Sequence, residues 1–217
     1  ETAIIHAAKY AAKADKQLIG VNVGRLGFAA DVEPHEYEQL ERLITGDYTT
    51  EERILLDVEV IKEDGSKHYL AVNDAVVARG QLSKTIDLHL TLDGDEISKY
   101  RADGLLFSTP TGSTAYSLSA GGPILAPKME CILMTPVCPH SLFSRSVLFS
   151  GESELSVHVK IPEECCCVLT IDGEKNVPVL ATDRVVIRKS DLKLKLALLH
   201  NRNFYKLLNE KLKERDF

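Results

Sequence analysis

No apolar run in this chain is long enough to cross a bilayer, and no charged-then-apolar leader opens it. The expectation is a cytoplasmic chain with no membrane partner. Basic residues are in deficit: 26 Lys and Arg stand against 32 Asp and Glu, a formal charge of −6. That argues against a nucleic-acid surface as the main business, while an anionic small molecule needs only a few local donors. No CxxC or HExxH spacing occurs. Of the five cysteines, Cys165–Cys167 are consecutive. Neighbours on a strand point to opposite faces, so these three cannot close on one ion; reduced thiols and no metal site are expected. There is no low-complexity linker and no internal repeat. The 217 residues, 44% hydrophobic, hold one large domain or two small ones with an ample core.

What is present divides into helical ends and a β-rich centre. Thr2–Lys13 is alanine-rich, with Ile4, Ile5, Ala8 and Ala11 at helical spacing. A short strand, Leu18–Asn22, precedes VGRLGF, whose Gly24 and Gly27 allow close backbone approach or simply form a loop. PHEYEQLERLI, Pro34–Ile44, predicts a helix with Pro at its first turn and Gly46 at its end. From Arg53 the period switches to 2: Ile54, Leu56, Val58 and Val60 alternate with their neighbours, and Ile86, Leu88, Leu90 and Leu92 do the same. Asp64-Gly65 and Asp93-Gly94 read as hairpin turns. Strands are also predicted at Leu155–Ile161, Cys131–Thr135, Cys165–Ile171, Val177–Leu180, Arg184–Arg188 and Lys193–Leu198, and a closing helix at Asn203–Glu214. The expected fold is α/β plus all-β. A remnant of an N-terminal α/β layer covers 1–50, with a returning segment 191–217. It is joined to a larger antiparallel, β-sandwich-like domain over 51–190.

The densest chemistry lies in RADGLLFSTPTGSTAYSLSAGG, Arg101–Gly122. Leu105–Phe107 suits a short buried strand, and Pro110 and Gly112 turn the chain out of it. Ser113 or Thr114 is then placed to cap a short helix over Ala115–Ala120. Ser108, Thr109, Thr111, Ser113 and Thr114 are neutral donors and acceptors at a strand-to-helix turn. Such a turn presents N–H groups and hydroxyls to sugar or phosphate oxygens, or is an ordinary hydroxyl-rich turn. Asp103, just before the strand, suits a ribose hydroxyl or an amide. In VNDAVVARG, Asn73 and Asp74 stand at a strand start, able to read an adenine or ribose, or forming an Asx turn. Asp172-Gly173 has a plain hairpin reading. His140 has no carboxylate or nucleophile beside it in sequence, and we read it as structural.

Three blocks in order, GVNVGRLGF, VNDAVVARG and RADGLLFSTPTGSTAY, closely resemble the signature of the NAD kinase (ATP-NAD kinase) family. The likeness covers essentially the whole chain. It implies transfer of the ATP γ-phosphoryl to the 2′-hydroxyl of the NAD adenosine ribose, giving NADP. ATP with Mg²⁺ or a similar ion is the implied co-substrate. It also implies a homodimer or homotetramer. By residue-wise carry-over, Asn73, Asp74, Asp103, Thr111, Thr114, Ala115, Tyr116 and Asp172 position the dinucleotide. Phe28 falls near its adenine, and Arg101 is a candidate for neutralising phosphate. The family's GGDGT loop, whose aspartate activates the acceptor hydroxyl, belongs ahead of the first helix, and Glu1 stands where glycine is expected. No catalytic residue is therefore assigned within these 217 residues. They are expected to bind NAD without phosphorylating it. A dinucleotide sensor on a dead kinase and a diacylglycerol-type lipid kinase are the alternatives.

Overall fold

The computed structural model describes residues 2–23, 30–80, 85–141, 144–160, 166–200 and 203–215. In chain order these form α1 Thr2–Lys13, β1 Gln17–Leu18, a 3₁₀ segment Pro34–Glu41 and α2 Arg42–Thr45. Strands β2 Thr49–Lys62, β3 Gly65–Ala71, β4 Asp74–Arg79, β5 Ile86–Leu92, β6 Asp95–Ala102 and β7 Gly104–Ser108 follow. A 3₁₀ turn Thr111–Thr114 then leads to α3 Tyr116–Ser119. Strands β8 Cys131–Val137, β9 Val147–Ser150, β10 Leu155–Lys160, β11 Cys167–Ile171, β12 Lys175–Val179 and β13 Arg184–Leu198 precede α4 Phe204–Arg215.

The chain forms two compact units, residues 1–53 with 193–217, and residues 54–192. In the first, β1 runs parallel to the end of β13, Gln17 opposite Lys195, and Val21 bridges Val32. Of the predicted strand Leu18–Asn22, only Leu18 lies in β1 and Val21 forms a single bridge. The predicted helix Pro34–Ile44 is mostly 3₁₀. No side chain of Pro34–Glu41 is buried, so no apolar face holds it in α geometry. Its start carries a capping box between Glu33 and Glu36, and Gly46, at φ +74, ends α2. Asn203 caps α4, its Oδ1 accepting from the N–H groups of Tyr205 and Lys206 at 2.9 and 3.3 Å.

The second unit holds two sheets, ordered β3-β2-β13-β10-β5-β6 and β12-β11-β4-β7-β8-β9. All five neighbour pairs of the second sheet are antiparallel. Alternation along β5 turns Ile86, Leu88 and Leu90 to one face, whereas β7 and β8 of the second sheet are buried on both faces. Leu56, Val58, Leu88, Leu90 and Val157 from one meet Val77, Leu105, Phe107, Met134 and Leu169 from the other in a single buried cluster. The predicted hairpin at Asp93-Gly94 is present, with both residues in the left-handed region, φ +51 and +95.

Three strands carry too little apolar alternation to be predicted by period: β3 and β6 are implied only as second arms of the Asp64-Gly65 and Asp93-Gly94 turns, and β9 is not predicted. β6 has only Ala102 buried, and β9 is an exposed edge. The two strands predicted at 184–188 and 193–198 are one, β13, running unbroken through Ser190 and Asp191.

Strand alternation also separates the described cysteines of the Cys165–Cys167 run: Cys166 is exposed and Cys167 buried, while Cys165 lies outside the described residues. Burial pushes the Cys131 thiol up and that of Cys167 up to about 12. The nucleophile is the thiolate, so a disulfide reagent at mildly alkaline pH should label exposed Cys138 and Cys166 and spare Cys131 and Cys167. All five should react after denaturation. Peptide mass mapping checks this, and labelling of Cys167 in the native protein would contradict it.

Candidate functional site

The site is built where β4 leaves the tight segment Val72–Asp74. The hairpin turn between β11 and β12 places Asp172 against that segment, in the left-handed conformation at φ +50. Its Oδ1 accepts from the N–H groups of Asn73 at 2.7 Å, Asp74 at 3.1 Å and Val72 at 3.2 Å, and its Oδ2 accepts from Val72 at 3.0 Å. In return the Asp172 N–H donates to the Asp74 carbonyl at 2.9 Å. On the other side, just after β7, Thr109 donates its hydroxyl to the Val72 carbonyl at 2.7 Å and its N–H to the Asn73 carbonyl at 2.9 Å. Asp74 is buried, and Asn73 is half-buried.

The hydroxyl cluster divides differently from its expectation. Much of it builds the turn. Thr109 Oγ1 accepts from the Gly112 N–H at 3.0 Å. Buried Ser113 donates to the Pro110 carbonyl at 2.6 Å and accepts from the Leu125 N–H at 3.0 Å. Thr114 donates to the Thr111 carbonyl at 3.2 Å. The expected cap by Ser113 or Thr114 is therefore corrected. The helix over 115–120 shrinks to α3, with no side-chain cap, because those hydroxyls bond back within the 3₁₀ turn. Beneath it, Ser117 and Ser146 share the Thr135 hydroxyl at 3.0 and 3.2 Å. Ser108 Oγ, fully buried opposite Asp74 in register, has no partner among the described residues. The surface left to a ligand is Thr111 and Ala115, both half-buried, and Tyr116, whose side of the turn is open to solvent.

Gly112 makes this arrangement possible. A Cβ there would lie 2.0 Å from the Asn73 carbonyl oxygen and 2.7 Å from its Cα. The turn and the Asn73 backbone therefore pack against each other with no side chain between them. In sequence Gly112 is only a turn former and Thr109 only one of five hydroxyls, with neither assigned a contact of its own; the signal for both is the Thr-Pro-Thr-Gly wording itself.

Asp103 and Arg101 lie elsewhere. β4 and β7 are antiparallel, and their ladder is extended at one end by Thr109 to Asn73 and at the other by Arg79 to Asp103. From Asn73 to Arg79 is 79 − 73 = 6 residue steps, roughly 20 Å at ~3.4 Å per residue. At that far end Asp103 accepts from Arg79 Nη2 at 2.8 Å, and Arg101 forms a bidentate pair with Asp87 at 2.8 and 3.1 Å. The pair with Asp87 raises the guanidinium of Arg101 above its ordinary value and holds the Asp87 carboxyl below the usual carboxylate range. His140 sits here too, its N–H on the Arg101 carbonyl at 2.9 Å. The structure thus brings together Asn73, Asp74, Thr111, Thr114, Ala115, Tyr116 and Asp172, and sets Arg101 and Asp103 apart. Phe28 lies outside the described residues. Among those residues no group of three or more His, Cys, Asp or Glu could hold a metal ion.

Over residues 72–199 the sequence matches the ATP-NAD kinase C-terminal domain. The NAD kinase of Natranaerobius thermophilus is 40% identical over 211 residues, which span 96% of this chain and 73% of that protein. That of Cellvibrio japonicus is 41% identical over 212 residues, 96% of this chain and 70% of that one. Among solved structures, yeast NADH kinase complexed with NADH aligns with a TM-score of 0.82 at 29% identity, over 91% of this chain and 59% of its own. An NAD kinase from Archaeoglobus fulgidus in complex with ATP gives 0.74 at 26% identity, over 91% and 74%. Fold and turn together define a nucleotide-dependent kinase. More narrowly, the chain belongs to the NAD kinase family.

Proposed function

We propose that this chain receives the dinucleotide of the NAD kinase reaction at the Asn73-Asp74 corner and the Thr111–Tyr116 turn. The reaction moves the γ-phosphoryl of ATP onto the 2′-hydroxyl oxygen of the adenosine ribose. The bond from the γ-phosphorus to the bridging oxygen breaks, ADP leaves, and the hydroxyl proton passes to a base. The observation that carries the site is the amide and carboxylate of Asn73 and Asp74 on a backbone held on both sides, with Gly112 of the turn packed on Asn73 and Tyr116 exposed a few residues further along the same segment. An amide-carboxylate pair reads ribose and adenine donors, and an exposed ring offers a stacking face. A lipid kinase reading lacks any comparable support.

Mg²⁺ belongs in this reading to the phosphates of ATP, as part of the co-substrate. No helix among the described residues is long and apolar enough to cross a membrane; a cytoplasmic location is part of the proposal. So is a division into two domains along the two compact units. A homodimer or homotetramer is proposed as well. It is supported by the roughly 20 Å of strand that separates Asp103 and Arg101 from Asn73. In this reading Asp103 and Arg101 face a dinucleotide seated at Asn73 of a neighbouring copy, and each site is shared.

Calorimetric titration of the full-length protein with NAD, followed by a coupled assay for NADP, tests this reading. Binding that falls about tenfold or more in Asn73→Ala, as loss of a ligand hydrogen bond requires, supports it. NAD affinity unchanged in that variant would move the site elsewhere.

A further inference from the structure

Taken as a site within the function proposed above, the Val72–Asp74 corner has a simple hydrogen-bond ledger. The segment has three N–H groups and three carbonyls, and two residues hold all six. Asp172 takes the three N–H groups on its carboxylate and gives its own N–H to the Asp74 carbonyl. Thr109 fills the carbonyls of Val72 and Asn73. Successive N–H groups converging on one point form an anion-binding concavity. Here the protein's own carboxylate fills it. The price is a non-glycine residue held at φ +50, a conformation that persists where its surroundings impose it.

We propose that Asp172 and Thr109 form a clamp that presets Asn73 and Asp74 for the dinucleotide, so that Asp172 is a positioning residue and not a ligand contact. Its carboxylate faces the 72–74 backbone with both oxygens, and its action on NAD passes through Asn73 and Asp74. The clamp ties together three elements far apart in sequence: the exit of β7, the entry of β4 and the β11–β12 turn. It leaves the corner rigid in the absence of ligand, which removes an ordering cost from binding.

The test uses the full-length enzyme with NAD and ATP as the probes. Asp172→Ala should raise the KM for NAD by about tenfold or more, the worth of a lost charge-assisted hydrogen bond, and leave the KM for ATP within about twofold. Amide exchange at residues 72–74 should accelerate in that variant without ligand. Combined with Asn73→Ala, it should add little to the loss from Asn73→Ala alone, since residues that act through one another are not additive. Asp172→Asn keeps an acceptor oxygen and suits the left-handed conformation; it should recover most of the affinity and covers the case in which Asp172→Ala fails to fold. Thr109→Val should act in the same direction, with Thr109→Ser restoring the wild-type value. Multiplicative losses in the Asp172/Asn73 double variant, unchanged amide exchange, or equal damage to the KM of NAD and of ATP would overturn the clamp. Wild-type enzyme that binds NAD normally while Asp172→Ala does too would remove only this inference; wild-type enzyme without NAD binding would remove the functional reading beneath it.

Discussion

Gly112→Ala should abolish measurable NAD binding, a loss of about a hundredfold or more. The added methyl would meet three backbone atoms of Asn73, at 2.0, 2.5 and 2.7 Å, so no side chain is available to swing aside. Nor is the Asn73 backbone free to retreat, because its carbonyl takes the Thr109 N–H and its own N–H sits on Asp172. Relief must come from parting the turn from the β4 corner. A displacement of about 1 Å in positioning groups can cost on the order of 10²-fold in function, and overpacking of this kind costs about 1–3 kcal/mol of stability or more. Titration with NAD beside thermal melting separates the two effects. An alanine variant that binds within about threefold of wild type would show that the turn and Asn73 do not act as one surface.

The second large effect concerns the far end of the β4–β7 pair. Asp103→Ala and Asn73→Ala should each depress activity by about tenfold or more, yet subunits of the two variants mixed and allowed to exchange should recover activity. In a random mixture of dimers half are hybrids, and each hybrid carries one intact site, which predicts about a quarter of wild-type turnover. The arithmetic holds because a site that draws Asn73 from one copy and Asp103 from another is spoiled twice or not at all in a hybrid. Removing Asp103 also strips Arg79 of its partner at 2.8 Å, so melting of each variant must accompany the assay. Asp103→Asn, which keeps a hydrogen bond to the guanidinium, serves as the milder version. No recovery on mixing would place Asp103 in a structural pair alone and remove the support for a shared site.

Much of this protein is legible in its residues because their patterns are local. Leu88 and Leu90 alternate with polar neighbours, so β5 and its buried face follow from period alone. Asp93-Gly94 names its turn, since both positions require positive φ. The central block was readable as a strand running into a turn, and its wording carried the family. Other elements were opaque for equally physical reasons. β6 and β9 are edge strands with little apolar patterning, formed because a neighbour offers its hydrogen bonds. The Pro34–Glu41 segment has helical spacing but buries nothing, so the spacing overstated its geometry.

By itself the sequence determined the class of fold, the residue types at the site and the family to which the chain belongs, because each is written in contiguous segments. Only the tertiary structure decided which of those residues meet. It turned the Asp172 carboxylate onto a backbone 100 residues away and spent the Thr109, Ser113 and Thr114 hydroxyls on building the turn. It also put Asp103 at the opposite end of a strand pair from Asn73. Hydrogen-bond partners across a sheet are fixed by register and by which strands lie side by side, and neither is a property of any single stretch of chain.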